Sequence, residues 1–364
     1  MLITFIGTRA QLIKMAPVIL LIEQGGLPHH LVFTGQHKET MAQLCSDFGI
    51  QSRPVYLYEG KEVTGIIQML GWFIYCLKRI LMQSKKFLPI EANGKHLIIV
   101  HGDTFSTLLG AVVGRLKGVA VAHVEAGLRS YNIFNPFPEE LTRLVIFRLA
   151  QYAFCPGDWA YKNMEKYRLV RINTGENTLL DAMKLGLQQQ AAMPHRYAGL
   201  QYGVCSIHRF ENIFRKSRLI KIIQLLELAA VDHPMLFVLH PATRKRLNRT
   251  GLMQRLEANP RIQLLPRMGY IQFIHLVKGA AFVITDGGGN QEELSYLGKP
   301  TLLMRVATER KEGLGTTATL CNYDANVMRD FLAKLPLTAA NSIGLKNETP
   351  SKIIFGHLQA YLLT

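Results

Sequence analysis

The chain has 364 residues, more than one hydrophobic core ordinarily serves, so two domains of similar size are expected, each able to bury its own interior. Lysine and arginine total 42 against 26 acidic residues, a formal charge of +16, which favours an anionic partner (a phosphate-bearing ligand, a nucleic acid or an acidic membrane) without choosing among them. The five cysteines, Cys45, Cys76, Cys155, Cys205 and Cys321, are far apart with no CxxC and no local Cys/His cluster, which excludes a zinc site and a disulfide framework and fits a reduced cytoplasmic protein.

The opening "MLITFIG" lacks a basic segment, a long apolar stretch and a cleavage site, so it reads as a first strand and not a signal peptide. Apolar runs of strand length then recur at 30–35, 96–102, 119–125 and 152–157, and again at 202–208, 235–240, 262–266, 280–286 and 300–305. Runs this apolar, separated by segments of helical length, predict parallel sheets covered on both faces: an α/β chain of two doubly wound, Rossmann-like domains. The least periodic stretch, "QQQAAMPHRYAGLQ", puts a linker around 175–200, giving domains 1–175 and 176–364. The final "PSKIIFGHLQAYLL" has helical spacing and is free to pack on either domain, including back on the first. The segment "GIIQMLGWFIYCLKRILM", residues 65–82, is too short to span a bilayer. It reads as a buried or subunit-interface helix, with a helix lying on a lipid surface beside Lys85 and Lys86 as the lesser reading.

Open parallel sheets bind ligands at the carboxyl ends of their strands, so the residues that follow each strand carry the chemistry. After the first comes "GTRAQLIK", which has neither the GxGxxG of dinucleotide folds nor a P-loop; Arg9 and Lys14 there suit a diphosphate, or a solvated helix face. "HGDTFSTLLGA" places Asp103 after a very apolar strand, with Thr104 able to cap the next helix. Glu125 leaves the neighbouring strand, and "NPFPEELTR" adds Glu139, Glu140 and Arg143. Carboxylates converging in this way are expected to raise one another's proton affinity, as acids and bases working near neutral pH require. In the second half "SIHRFEN" presents His208, Arg209 and Glu211, and His240 ends the next strand. "VITDGGGNQEELSYLGKP", residues 283–300, is a strand, a glycine turn and a helix start, whose bare N–H groups and dipole favour phosphate; Glu292 or Glu293 is then placed for ribose hydroxyls. Arg305 and Arg310 follow the next strand and are placed to close over a pyrophosphate. The inferred ligand is a nucleoside diphosphate.

Together the pieces "GTRAQLIKMAP", "GQHKETM", "HGDT", "HVEAGLRS", "FPEELTR", "TGENTLLDA", "HRFEN", "TDGGGNQEE", "LGKP" and "TERKEG" resemble, in order across nearly the whole chain, the non-hydrolysing UDP-N-acetylglucosamine 2-epimerases and their relatives acting on diacetamido-uronic acid sugars. The resemblance implies a GT-B-like architecture of two Rossmann-like domains facing a central cleft, a homodimer formed through first-domain helices, and no metal or other cofactor. It implies a reaction in which C2 loses its proton while C1 loses UDP, followed by re-addition. Asp103, Glu125, Glu139 and His208 match the family's acid/base residues. The set expected to bind UDP is Arg9, Lys14, Arg143, His240, Phe273, Gly287, Gly288, Gly289, Glu293 and Arg310.

The chain departs from the family pattern in places. Gly287 stands where a serine is usual, removing a hydroxyl donor worth about 1 kcal/mol or more, so Gly287→Ser is expected to tighten UDP binding. Ala10 replaces a proline, Gln11 stands where the hexosamine enzymes have glutamate, Val306 and Ala307 replace polar residues, and Lys311 replaces a proline. Gln11 and "HRFEN" lean toward the uronic or diacetamido substrates. Bacterial members can be activated by a second substrate molecule bound partly through the region matching "GQHKETM". Gln36 and His37 are present, but the helix beginning near Thr64 lacks the arginine placed there, so activation is not expected.

The leading reading is therefore a cytoplasmic sugar-nucleotide 2-epimerase supplying surface polysaccharide synthesis. The alternative is a glycosyltransferase on the same scaffold, at a membrane face; retention of every acid/base position argues against it. No nucleic-acid motif is present to give the basic charge that use.

Overall fold

A computed structural model describes residues 1–35, 38–60, 63, 65–91, 93–133, 137–190, 199–308, 310–335 and 349–363. The chain divides into two compact units, Met1–Leu185 with Lys346–Thr364, and Gly186–Leu345. Composition puts the division near 175. The ten further residues stay with the first unit because Asn177 donates to Glu125 and Asp181 accepts the backbone N–H of Ser351 at 2.8 Å.

The first unit is built on a seven-stranded sheet of β1 (Leu2–Ile6), β2 (His29–Phe33), β3 (Val55–Tyr56), β4 (Leu97–His101), β5 (Ala120–Val124), β6 (Tyr152–Cys155) and β7 (Val170–Asn173), in the order β3-β2-β1-β4-β5-β6-β7. Every pairing is parallel. β1 and β4 are buried at every position, as runs flanked by helices on both faces must be. β3 and β7 are edge strands, short and half-exposed, which is why no continuous apolar run announces them. The register pairs His101 with Val124, so β4 and β5 end level and release Asp103 and Glu125 side by side.

The helix Pro350–Leu363 closes this unit. Tyr361 donates to the His96 carbonyl at 3.0 Å, and the ring of His357 meets Phe154. The segment at 65–82 is the helix Ile66–Met82, with Trp72, Cys76 and Ile80 buried and Ile67, Leu70, Ile74 and Met82 exposed. No described helix is long and apolar enough to cross a membrane.

The second unit carries a six-stranded sheet of β8 (Gly203–Ser206), β9 (Met235–Leu239), β10 (Ile262–Pro266), β11 (Phe282–Thr285), β12 (Thr301–Leu303) and β13 (Ala318–Leu320), in the order β10-β9-β8-β11-β12-β13, again all parallel. Ser206 pairs with Thr285, so the loops holding His208 and Asp286 leave the sheet together. All five cysteines are buried free thiols, and burial pushes Cys76 and Cys155 up to about 12, which leaves them unreactive at neutral pH.

Candidate active site

In the first unit, the turn after β4 uses Gly102 at φ +68°, and Thr104 then caps the helix Phe105–Lys117 by accepting the N–H of Thr107. That geometry presents Asp103, whose carboxylate pairs with the Arg143 guanidinium. After β5 the chain turns at Glu125 itself, which adopts φ +62°. A non-glycine residue there costs about 1–2 kcal/mol, so the surrounding bonds must hold it. They are specific: Glu125 Oε1 accepts from Lys14 Nζ at 2.5 Å and from Asn177 Nδ2 at 2.6 Å, and Oε2 lies 3.5 Å from His101 Nε2.

Glu139 opens the helix Glu139–Leu149, and its Oε2 is buried with no hydrogen-bond partner among the described residues. Glu140, next to it, is fully buried and bonded by Arg129, Arg143 and the Ser130 N–H. Burial pushes the Glu140 carboxyl up, but the Ser130 N–H and the two guanidinium groups outweigh it and hold it below the usual range. Glu140 is thus a strut that orients Arg143, while Glu139 is the half-buried carboxylate with an oxygen not yet committed to a described partner.

The arrangement corrects the expectation of carboxylates pressed against one another. Cations interleave: Lys14 faces Glu125, and Arg143 bridges Asp103 and Glu140. Lys14 is itself buried, and the Glu125 carboxylate is a partner it holds in the structure. Arg9, at the first position of the helix Arg9–Gln24, remains half-buried at the strand end where a phosphate was expected.

Two histidines that sequence reasoning passed over lie behind these acids. His123 Nε2 donates to the Gly102 carbonyl at 2.7 Å and so braces the turn that carries Asp103. Burial lowers His123 to about 4 and His101 to about 3, leaving both neutral. Gln11 has a role different from the one its identity suggests. Its amide donates to the His101 carbonyl at 2.6 Å and to the hydroxyls of Thr104 and Thr107, while its oxygen accepts the N–H groups of Gly7 and Thr8. It is a buried bolt between two strand-end turns. Gln36, His37 and Thr64 lie outside the described residues.

In the second unit the glycine turn is organised by Asp286, fully buried, to which the sequence assigned no role. Its carboxylate accepts the backbone N–H groups of His208 at 3.0 Å and Arg209 at 2.9 Å and the Asn212 amide at 2.8 Å, and His208 Nδ1 lies 3.3 Å from Oδ1. His208 is thereby held with its side chain 40% exposed, and the His240 ring centroid lies 5.8 Å away. His240 caps the helix Pro241–Thr250, and Phe273 stands half-buried on the helix Tyr270–Gly279.

Gly287 precedes the helix Gly288–Tyr296, whose first-turn N–H groups, from Gly288 and Gly289, have no intrahelical acceptor. Glu292 and Glu293 are both buried; Glu292 pairs with Arg310 at 2.7 Å. Arg310 is therefore already engaged, and closure over a diphosphate would start from that pair.

Gly287 is more than a missing hydroxyl. A Cβ there would stand 3.0 Å from His208 Cε1 and 3.4 Å from Asn290 Cγ. Gly287→Ser is therefore expected to tighten UDP binding while shifting the His208 ring by a few tenths of an ångström, so a gain in affinity with a modest loss of turnover is the expected result. Steady-state rates and titration calorimetry on the same variant separate the two effects.

The sequence profile of the UDP-N-acetylglucosamine 2-epimerase family matches residues 21–348. The chain belongs to the UDP-N-acetylglucosamine 2-epimerase family. It is 31% identical to a UDP-2,3-diacetamido-2,3-dideoxy-D-glucuronate 2-epimerase of Pseudomonas aeruginosa, covering 94% of this chain and 92% of that one. It is 30% identical to the UDP-N-acetylglucosamine 2-epimerase of Methanocaldococcus jannaschii over 86% of both. The crystal structure of the Neisseria meningitidis enzyme bound to UDP-GlcNAc superposes with a TM-score of 0.79 at 26% identity, covering 99% of each chain. Membership in this epimerase family favours the isomerase over the glycosyltransferase reading, and its two-sheet α/β fold is the one found here.

Proposed function

We propose that the protein inverts C2 of a UDP-linked 2-acetamido sugar by eliminating and re-adding UDP. A base removes the C2 proton as the C1–O bond to UDP breaks, leaving a C1=C2 double bond. UDP returns to C1, and an acid delivers a proton to the opposite face of C2. Asp103, Glu125, Glu139 and His208 are the groups proposed to move these protons. Arg9 and the Gly287–Gly288–Gly289 turn take the diphosphate, with His240, Phe273, Glu293 and Arg310 completing nucleotide binding. Lys14 and Arg143 fix the positions of the carboxylates they pair with, so their part in holding UDP is secondary.

The observation that carries this reading is the level ending of β4 and β5, which sets Asp103 and Glu125 side by side with a cation on each. Relatives named for UDP-N-acetylglucosamine and for a UDP-diacetamido-glucuronate support a UDP-sugar substrate, and the bound UDP-GlcNAc in the Neisseria meningitidis structure supports it further. The choice between those sugars rests on assay. Incubation with a panel of UDP-2-acetamido sugars in deuterated water is expected to place deuterium at C2 of one of them. No incorporation with any member would overturn the reading.

We also infer a homodimer through the exposed side of the helix Ile66–Met82, where Ile67, Ile74 and Met82 are 86%, 54% and 85% exposed. An apolar stripe of this length favours burial against a like surface. Sedimentation of the unaltered chain is expected to give a dimer, and Ile67→Lys with Ile74→Lys a monomer; an unaltered chain that sediments as a monomer rules the dimer out.

A further inference from the structure

We propose that His101 is a positioning residue for Glu125, its Nε2–H holding the second carboxylate oxygen in the orientation that proton transfer at C2 needs. The inference rests on the reading above, in which Glu125 is one of the groups that exchange the C2 proton.

The geometry is local to one end of the first sheet. His101 is the last residue of β4 and Glu125 the first after β5, so their side chains leave adjacent strand ends. Oε1 of Glu125 is tied down by Lys14 and Asn177 at 2.5 and 2.6 Å. Toward Oε2 comes the imidazole, with Nε2 at 3.5 Å. The ring is 3% exposed, and neither of its nitrogens has a hydrogen-bond partner among the described residues. Buried polar groups are almost always paired, so an imidazole kept beside a carboxylate yet short of bonding distance is a contact ready to be made. Catalytic hydrogen bonds are often long before substrate binds and tighten when it does. A small shift of Glu125 Oε2 toward His101 Nε2 closes this one.

The ring suits such a task because it cannot compete for the proton. Burial, assisted by Lys14 and His123, holds His101 at about 3 against the opposing pull of Glu125. It therefore stays neutral while Glu125 gains and loses a proton, and its contribution is a fixed donor. Among the described titratable groups, Lys14 from the helix Arg9–Gln24 and His101 from β4 approach Glu125, and His123 from β5 feels the charges of Glu125, Asp103 and Arg143. His123 is committed to the Gly102 carbonyl, whereas the neutral His101 ring lies 3.5 Å from the carboxylate and makes no hydrogen bond to another described residue.

The test uses the full chain and three substitutions. His101→Gln places an amide N–H near the position of Nε2, His101→Asn falls short of it, and His101→Leu removes the donor while filling the space. Deuterium exchange at C2 is followed against pH, alongside UDP binding and thermal melting. His101→Leu and His101→Asn are expected to lose exchange about tenfold or more, with the acid limb of the profile moved to higher pH because the carboxylate has lost a donor. His101→Gln is expected to stay within about threefold of the unaltered chain with its profile in place, and UDP affinity to be unchanged in every variant that folds. If the leucine variant does not fold, the glutamine and asparagine pair still decides.

Equal losses in those two with an unmoved profile would mean that the ring only fills space, and the inference fails. Exchange at the unaltered rate in the asparagine or leucine variant overturns it as well. No exchange in the unaltered chain removes the reaction first and this inference with it, so the two failures are distinct.

Discussion

The Glu125→Gln substitution is expected to stop C2 exchange, by about two to four orders of magnitude, and at the same time to weaken the fold. Lys14 and Glu125 have side chains 9% and 8% exposed. An amide at 125 leaves the Lys14 ammonium buried without its counter-ion, a loss of about 3–5 kcal/mol when one partner of such a pair is removed. Inactivity alone would then be ambiguous, because an unfolded chain is also inactive. The double variant Lys14→Met with Glu125→Gln resolves it: both charges leave together, so most of the stability is expected back in urea melts while exchange stays lost. Asp103→Asn is the companion. Its carboxylate is 27% exposed, so exchange is expected to fall by a similar factor with a much smaller change in melting. Exchange near the unaltered rate in folded Glu125→Gln protein means the acid has been misassigned.

The second large effect is acid sensitivity. His101 and His123 are 2% and 1% exposed and are held neutral, at about 3 and about 4. In the unfolded chain each returns to about 6.5, so below that pH the unfolded state binds protons that the folded state refuses. Stability is therefore complete above about pH 6.5 and declines as the pH falls toward the folded values, at a rate of about 1.4 kcal/mol per pH unit for each ring. Between pH 6.5 and 4.5 the two rings together are expected to remove roughly 5 kcal/mol. Glu140, whose carboxyl is held low, adds to the loss at still lower pH in the same direction. Urea midpoints measured across that range check the slope. A curve flat from pH 6.5 to 4.5 would mean that both rings accept protons in the folded state.

The sequence is most legible where one physical requirement dominates. Strands covered on both faces must be apolar throughout, and ten runs of that kind mark ten of the thirteen strands among the described residues. β3, β7 and β13 escaped because edge strands are half-exposed and tolerate mixed residues such as the "VRIN" of β7. The acids at the ends of β4 and β5 were also legible, since a carboxylate directly after a buried strand stands out. What remained hidden depends on residues far apart in the chain. Lys14 reads as a phosphate ligand until Glu125, 111 positions away, is seen to hold it. Gln11 reads as a mark of substrate until its amide is found bonded to the turn after β4. Asp286 sits in plain view before the glycines, yet its role belongs to the backbone of His208 and Arg209, more than seventy residues upstream.

The return of the helix Pro350–Leu363 to the first sheet carries a consequence for how the chain matures. That helix is synthesised after every strand of the second sheet yet forms a wall of the first unit, and the whole of Gly186–Leu345 is an insert between the two parts of that unit. The insert has all of its described strands before that helix is made, whereas the first unit must wait with the ring of Phe154 lacking its His357 neighbour and Asp181 lacking the Ser351 amide. A nascent protein stalled short of residue 350 would thus display a finished second unit tethered to an unfinished first one, and proteolysis of such a stalled chain is expected to begin on the amino-terminal side.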